Sequence, residues 1–169
     1  MEIRRLQVSD YLLLASAIQI LVPLVSDEPI NNQTIDNSFL KQALSDKNCY
    51  YILCLDDSTP VGYLSAFRFP VVETADFQIY LYDIAVDEQF RQRGLGSRMI
   101  EELKQHCRED NVNYIWVGTS LDNEAAQRTF EKTGDLECPP GEADRDRERS
   151  GARISGHLPA RGRGRRRGG

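Results

Sequence analysis

Two glycines and two arginines within a six-residue run, Arg91-Gln92-Arg93-Gly94-Leu95-Gly96, form the stretch of this chain best suited to holding an anion. Gly94 and Gly96 lack a Cβ, so the backbone can approach a ligand closely. The N–H groups of a helical turn opening there, through Ser97, have no intrahelical acceptor and point at such a ligand. Arg91, Arg93 and Arg98 add positive charge. The run lacks the Gly-Lys-Ser/Thr ending of a nucleotide P-loop, and the first glycine and downstream acidic residue of a dinucleotide site. A second group with chemistry is Asp83, which interrupts an apolar run. An ionised carboxylate there is costly unless it is paired, hydrogen-bonded or facing a cavity, so it reads either as a reactive or ligand-binding group or as a structural one.

The surrounding pattern supplies the elements that must hold these groups. Leu81 to Val86 reads as a buried strand, Asp87 to Phe90 as a turn, and Ser97 to Arg108 as a helix with Leu95, Met99, Ile100, Leu103 and Cys107 on one face. Upstream, Glu2 to Leu6 reads as a short strand, and Ser9 or Asp10 caps a helix from Tyr11 to Leu21 that Pro23 stops. Ser26 to Asn37 is polar and loop-like, and Ser38 to Ser45 a short helix. Cys49 to Leu55 and Val61 to Phe69 are β-rich runs joined by a turn cluster, Phe77 to Val86 is a long strand, and Tyr114 to Thr119 another. A strand, loop, helix and strand in that order predict a right-handed crossover within a mixed α/β sheet.

Arg91, Gly94 and Gly96 match a loop pattern of Arg or Gln, two residues, Gly, one residue, then Gly or Ala, and Asn123 to Gly134 matches a later helix pattern that usually reads Asn, two residues, Ala, three residues, Tyr, Glu, Lys, one residue, Gly. Together the two motifs resemble the GNAT N-acetyltransferase superfamily, and residues 60 to 86 with the following loop look most like its type I aminoglycoside 3-N-acetyltransferases. The superfamily resemblance covers residues 1 to 134. It implies a GNAT-like, mostly antiparallel twisted sheet flanked by helices, and acetyl transfer from acetyl-CoA to a primary amine, with an aminoglycoside 3-amine as the favoured acceptor and another small amine or a protein as the alternative.

On that resemblance the backbone of Ile84, Ala85 and Val86 bonds the pantetheine arm and polarises the acetyl carbonyl, the N–H groups from Arg91 through Gln92, Arg93, Gly94, Leu95 and Gly96 to Ser97 take the pyrophosphate, and Asn123 steadies the arm. Residues 26 to 45 correspond to a wall of the acceptor site. An amine is mostly protonated at neutral pH, so a nearby carboxylate would speed attack, and Asp83 is the candidate. Glu73 and Asp76 are secondary candidates as ligands for a cationic acceptor, with a solvated loop as the plainer reading. The family often uses a tyrosine to protonate the departing thiolate; this chain has Phe130 there, which leaves water, Tyr80 or Tyr82 for the task, or a catalytically impaired acetyl-CoA binder.

Composition sets outer bounds. The chain has 169 residues, enough for one domain with a core, and no apolar run of the ~20 residues that span a bilayer. With Glu2 and Asp10 in an N-terminus unlike a signal peptide, the expected location is cytoplasmic. Cys49, Cys54, Cys107 and Cys138 show no Cys-x-x-Cys spacing and are expected to be reduced, and no His/Cys cluster supports a metal. Residues 1 to 140 hold 12 basic against 22 acidic side chains, whereas 141 to 169 hold 9 against 4. An acidic body repels nucleic acid and suits a small polycationic substrate, although solubility alone explains it equally well.

The family pattern expects an aromatic residue and at least one further strand after Gly134. The chain instead continues into a stretch rich in Pro, Gly, Arg and Asp/Glu, which predicts a GNAT domain over 1–138 and a disordered tail over 139–169, with the final strand replaced. The abrupt change resembles a shifted reading frame more than an evolved domain. Arg161 to Gly169 is the run that could bind RNA, the non-enzymatic alternative, and loss of the last strand bears on the dimerisation common in the superfamily.

Overall fold

Alternation of apolar and polar residues builds a sheet around which everything else is arranged. The computed structural model describes residues 1–24, 35–112, 114–120, 123–133 and 151–157. The strands are β1 (Glu2–Arg5), β2 (Cys49–Asp56), β3 (Thr59–Val71), β4 (Asp76–Val86), β5 (Tyr114–Ser120) and β6 (Gly151–His157), paired in that order. Neighbours run antiparallel except β4 and β5, which are parallel. A parallel pair needs a crossover, and α3 (Leu95–Glu109) supplies it. The mixed, mostly antiparallel sheet flanked by helices is the one expected from the sequence.

Each sheet face carries its own core. On one, the α3 stripe of Leu95, Met99, Ile100, Leu103 and Cys107 packs on Ile52, Leu64, Ala66, Ile79 and Leu81, joined by Phe130 from α4 (Glu124–Lys132). Fully burying side chains of this kind is worth about 1.5–3 kcal/mol each. On the other face, α1 (Tyr11–Leu21) and α2 (Asn37–Ser45) bring Leu14, Ala17, Leu21 and Leu40 onto Leu53, Leu55, Tyr63 and Ala85. Asp36 caps α2, accepting the Ser38 N–H at 2.9 Å, and the chain leaves α1 through a short 3-10 turn at Val22–Leu24 that contains Pro23. Cys54 and Cys107 are buried free thiols and Cys49 a half-buried one; Cys138 lies outside the described residues.

The expectation of a structureless tail needs correcting at seven positions. Residues Gly151–His157 form β6, paired with β5 from Gly151 opposite Ser120 to His157 opposite Tyr114. The physical reason lies in the backbone: the outer edge of β5 is a row of donors and acceptors that any extended segment can pair with, whatever its side chains. Residues 134–150 and 158–169, including the arginine-rich run and the boundary expected at 138, lie outside the described residues, as does the polar stretch 25–34. Among the described residues no helix is long and apolar enough to cross a membrane.

Candidate active site

The loop after β4 is shaped by its backbone. Asp87 Oδ1 accepts the Gln89 N–H at 2.9 Å and starts a 3-10 turn over Glu88–Phe90. Arg91 Nε then donates back to the Val86 carbonyl at 3.1 Å, and Arg93 to the Gln89 carbonyl at 3.0 Å, with its guanidinium 5.0 Å from the Phe90 ring centroid. These two arginines, expected mainly as charge for the ligand, also tie the loop to itself. Gln92 and Gly94 take left-handed conformations, φ +61° and +73°, on either side of Arg93. Such reversals let successive N–H groups converge on one concavity.

Gly94 is the N-cap of α3 and offers no side chain to the first turn, so the N–H groups of Leu95, Gly96 and Ser97 have no intrahelical acceptor. A Cβ built at Gly94 would meet no heavy atom within 4 Å, so the space beside the loop is open. One at Gly96 would lie 3.2 Å from Thr129 Cγ2, which puts α4 directly against the start of α3. Open space at Gly94 beside the unpaired N–H groups that start α3 suits a pyrophosphate, which needs many donors and close backbone approach.

The second backbone feature is where β4 and β5 stop pairing. Their ladder covers Ile79 to Leu81 against Ile115 to Val117, yet β4 continues to Val86 and β5 to Ser120. Beyond Leu81 the β5-facing edge of β4 therefore has no strand partner among the described residues. Ile84 and Val86 pack into the α3-side core and Ala85 into the α1-side core. Their side chains are occupied, and any role in binding an extended arm falls to the backbone. Asn123 stands at the N-cap of α4, where its Oδ1 accepts the Ala126 N–H at 3.1 Å. It lies about 9 Å along the helix from Thr129, at 1.5 Å per residue, on the element that touches Gly96.

Asp83 owes its position to a bulge. Between β3 and β4, Ser65 pairs with Asp83 but Ala66 with Leu81, so Tyr82 is an extra residue in β4. Simple alternation would put Asp83 on the same face as Leu81, against α3. Insertion of Tyr82 turns both Tyr82 and Asp83 to the opposite face, shared with Ser65, Phe67 and Tyr80. Ring contacts follow this face: Tyr51 to Phe67 at 6.3 Å, Phe67 to Tyr82 at 5.8 Å and Tyr80 to Tyr82 at 6.3 Å between centroids, all edge-on. Half-burial pushes the Asp83 carboxyl above its ordinary range, and desolvation is the cause. Burial likewise pushes the neighbouring Tyr63 phenol up to about 12.

The structure thus brings Asp83 and Tyr82 to one face and the Arg91–Ser97 loop to the end of the same strand. It does not bring Glu73 or Asp76 to that place: Glu73 is exposed at the distal β3–β4 turn, and Asp76 Oδ1 accepts its neighbour Phe77's N–H at 2.7 Å. Phe130, at the position where the family pattern has tyrosine, is 2% exposed and packs under α3. Three residues of the Asp83 face escaped the sequence reading. Tyr63 and Phe67 look like ordinary strand residues, and Ser65 gives no motif at all, yet its buried Oγ lies beside the Tyr63 hydroxyl.

Comparison with known proteins follows the same division. The model of the Acetyltransferase (GNAT) family matches residues 16–135. An L-2,4-diaminobutyric acid acetyltransferase from Halalkalibacterium halodurans is 32% identical over 111 residues, covering 62% of this chain and 56% of that protein; one from Marinococcus halophilus is 27% identical, covering 62% and 61%. The chain thus spans about three fifths of the length of these curated relatives. Among solved structures, an aminoglycoside acetyltransferase from an uncultured soil metagenomic sample, in complex with sisomicin, superposes with a TM-score of 0.66 at 20% identity, covering 88% of this chain and 91% of that one. A GNAT-family acetyltransferase from Streptococcus pneumoniae gives 0.70 at 17% identity, covering 94% and 99%.

Proposed function

This chain belongs to the acetyltransferase (GNAT) family, and from that premise we propose that it transfers an acetyl group from acetyl-CoA to a primary amine of a small cationic molecule, the 3-amino group of an aminoglycoside being the favoured acceptor. The observation that carries the reading is the continuity of one strand: the edge of β4 that loses its β5 partner runs from Asp83 straight into the loop with the converging N–H groups. Bound there, acetyl-CoA supplies an activated acetyl thioester. The loop from Arg91 to Ser97 holds its pyrophosphate through main-chain donors, with Gly94 leaving room for it. The backbone of Ile84, Ala85 and Val86 takes the pantetheine arm as a substitute strand, and Asn123 flanks it.

Asp83 then faces the incoming amine. An ammonium cannot attack a carbonyl carbon, because its lone pair is bound to the proton. The carboxylate attracts the cation, and it takes the proton directly or through one water so that the neutral amine is the attacking species. A raised carboxyl pKa brings Asp83 closer to that of the proton it must accept. Holding amine and thioester together contributes through proximity as well as proton transfer.

The strand run and the following loop favour an aminoglycoside. A second acceptor, L-2,4-diaminobutyrate, is favoured by the activity of the relatives matched at 32% and 27% identity. Thiol release from acetyl-CoA, measured with aminoglycosides, L-2,4-diaminobutyrate, polyamines and peptide N-termini, separates them. Release with an aminoglycoside and acetylation mapped to its 3-amine is the expected result. Release with diaminobutyrate alone would transfer the reading to the second acceptor, and none with any amine would overturn acetyl transfer.

A further inference from the structure

The bulge places one carboxylate on a face lined by aromatic rings, with no ion-pair partner among the described residues. Among the described residues the ion pairs join Arg4, Arg91, Lys104, His106 and Arg128 to acids other than Asp83. Desolvation is the cause of the raised Asp83 carboxyl, and among the described residues no ion pair reaches it. The rings beside it are unevenly covered: Tyr63 is buried, Phe67 half-buried, and Tyr80 and Tyr82 are 39% and 61% exposed. Tyr80 and Tyr82 thus form a pair of touching, exposed rings, and the face of a phenol ring attracts a cation through its quadrupole. Elsewhere this chain already stacks cations on rings, Arg5 at 4.1 Å from Tyr50 and Lys41 at 4.3 Å from Tyr11. Among the described residues no cation stacks on the Tyr80 or Tyr82 ring.

We propose that Tyr82, supported edge-on by Phe67 and Tyr80, is a specificity-determining platform for a second, protonated nitrogen of the acceptor, with Asp83 serving the nitrogen that is acetylated. This rests on the acetyl-transfer reading above and names the substrate class of that site: amines carrying at least two basic nitrogens. The division of labour is chemical. The nucleophilic nitrogen must shed its proton, whereas a cation–π partner must keep it, so one nitrogen cannot do both. The edge-on contacts leave Tyr82's ring braced at 5.8 and 6.3 Å by two neighbours, which limits the entropy lost when a cation settles on it. On this assignment the Tyr82 hydroxyl is not the working group; the ring is.

The test uses the full chain and three probes: sisomicin, and L-2,4-diaminobutyrate against 4-aminobutyrate, which lacks the second amine. Calorimetric binding and thiol release are both read for the wild type, Tyr82→Leu and Tyr82→Phe. Tyr82 is exposed, so both variants are expected to fold, and circular dichroism checks this. The expected result is that a diamine probe binds and 4-aminobutyrate binds at least tenfold more weakly. Tyr82→Leu raises Kd and KM for the diamine about tenfold with kcat within threefold, and Tyr82→Phe restores both to near the wild-type values. A diamine bound equally well by Tyr82→Leu, or 4-aminobutyrate bound as tightly as the diamine, would overturn the platform. So would a kcat loss in Tyr82→Phe equal to that in Tyr82→Leu, which would assign the hydroxyl a proton-donor role instead, and so would a wild type that binds neither diamine. Ring-dependent diamine binding without thiol release would leave the platform standing and sink acetyl transfer; release from monoamines as readily as from diamines would do the reverse.

Discussion

The loop at the end of β4 and the face of β4 three residues earlier are built by different means. In the loop the chemistry belongs to main-chain N–H groups, and side chains serve as struts: Arg91 and Arg93 bond to loop carbonyls, and Gly94 and Gly96 matter for what they lack. On the face the chemistry belongs to side chains, and the backbone serves by a single irregularity, the extra residue Tyr82 that turns Asp83 away from α3. A backbone site is specified by conformation and tolerates varied side chains. A side-chain site is specified by residue identity and is lost with one atom. The donor half of such an enzyme can therefore stay constant while the acceptor half changes substrate.

The largest effect expected from this contrast comes from the side-chain half. Replacing Asp83 with Asn keeps shape and removes the charge and the basic oxygen, so kcat/KM for the amine should fall by about 10²–10³-fold. The Kd for acetyl-CoA, held by main chain, should stay within threefold. Steady-state kinetics beside calorimetry reads both. Equal losses in the two would break the separation of the halves, because they would make Asp83 a structural support of the donor loop.

How much of each half is legible in the sequence follows from the same difference. Glycine spacing reports backbone conformation directly, so Arg91 to Gly96 can be read as a loop opening a helix, and the α3 stripe from Leu95 to Cys107 can be read from its helical period. The helix begins at Leu95, two residues before the predicted Ser97, because the left-handed Gly94 is itself the N-cap. The face of β4 is another matter. A bulge depends on pairing with β3, and nothing local to Tyr82 announces it, so alternation predicts the wrong face for Asp83. Asp83 is recognisable only as an anomaly, a carboxylate in an apolar strand. Ser65, Tyr63 and Phe67 join it through register, which is a tertiary property. β6 escapes prediction for a related reason, since it is held by pairing with β5 and its composition resembles that of a loop.

In the backbone half, the two glycines should fail for different reasons and by different amounts. Gly96→Val would drive a branched side chain into Thr129, whose Cγ2 is already 3.2 Å from a bare Cβ, and should raise the acetyl-CoA Kd about 30-fold by separating α4 from the loop. The milder Gly96→Ala should be relieved by Thr129→Ser, which deletes that methyl group. No relief in the double variant would mean that the glycine serves ligand approach alone. Gly94→Ala meets no neighbour, and its cost is conformational: a left-handed residue with a Cβ costs about 1–2 kcal/mol, or roughly tenfold in Kd. Gly94→Asn should cost less, because Asn tolerates φ near +73°. An Asn variant as weak as the Ala variant would point to the open space rather than the dihedral angle.

The smallest effect is on stability, and its sign opposes the first prediction. Burial raises the Asp83 carboxyl above its ordinary 3.8 in the folded chain, so the folded state holds that proton more tightly than the unfolded state does. The stability associated with the protonated carboxyl is complete below pH 3.8 and is lost as pH climbs through the raised value. Above it, an ionised Asp83 sits in a half-buried, ring-lined place without a cation. Asp83→Asn removes that loss, so the variant should melt about 2 °C above the wild type at pH 7, the difference shrinking toward zero as pH falls below the ordinary carboxylate value. Thermal denaturation at a series of pH values measures it. A variant less stable than the wild type at pH 7 would show that Asp83 has a cationic partner in the free protein, and the place reserved for the substrate's charge would then already be filled.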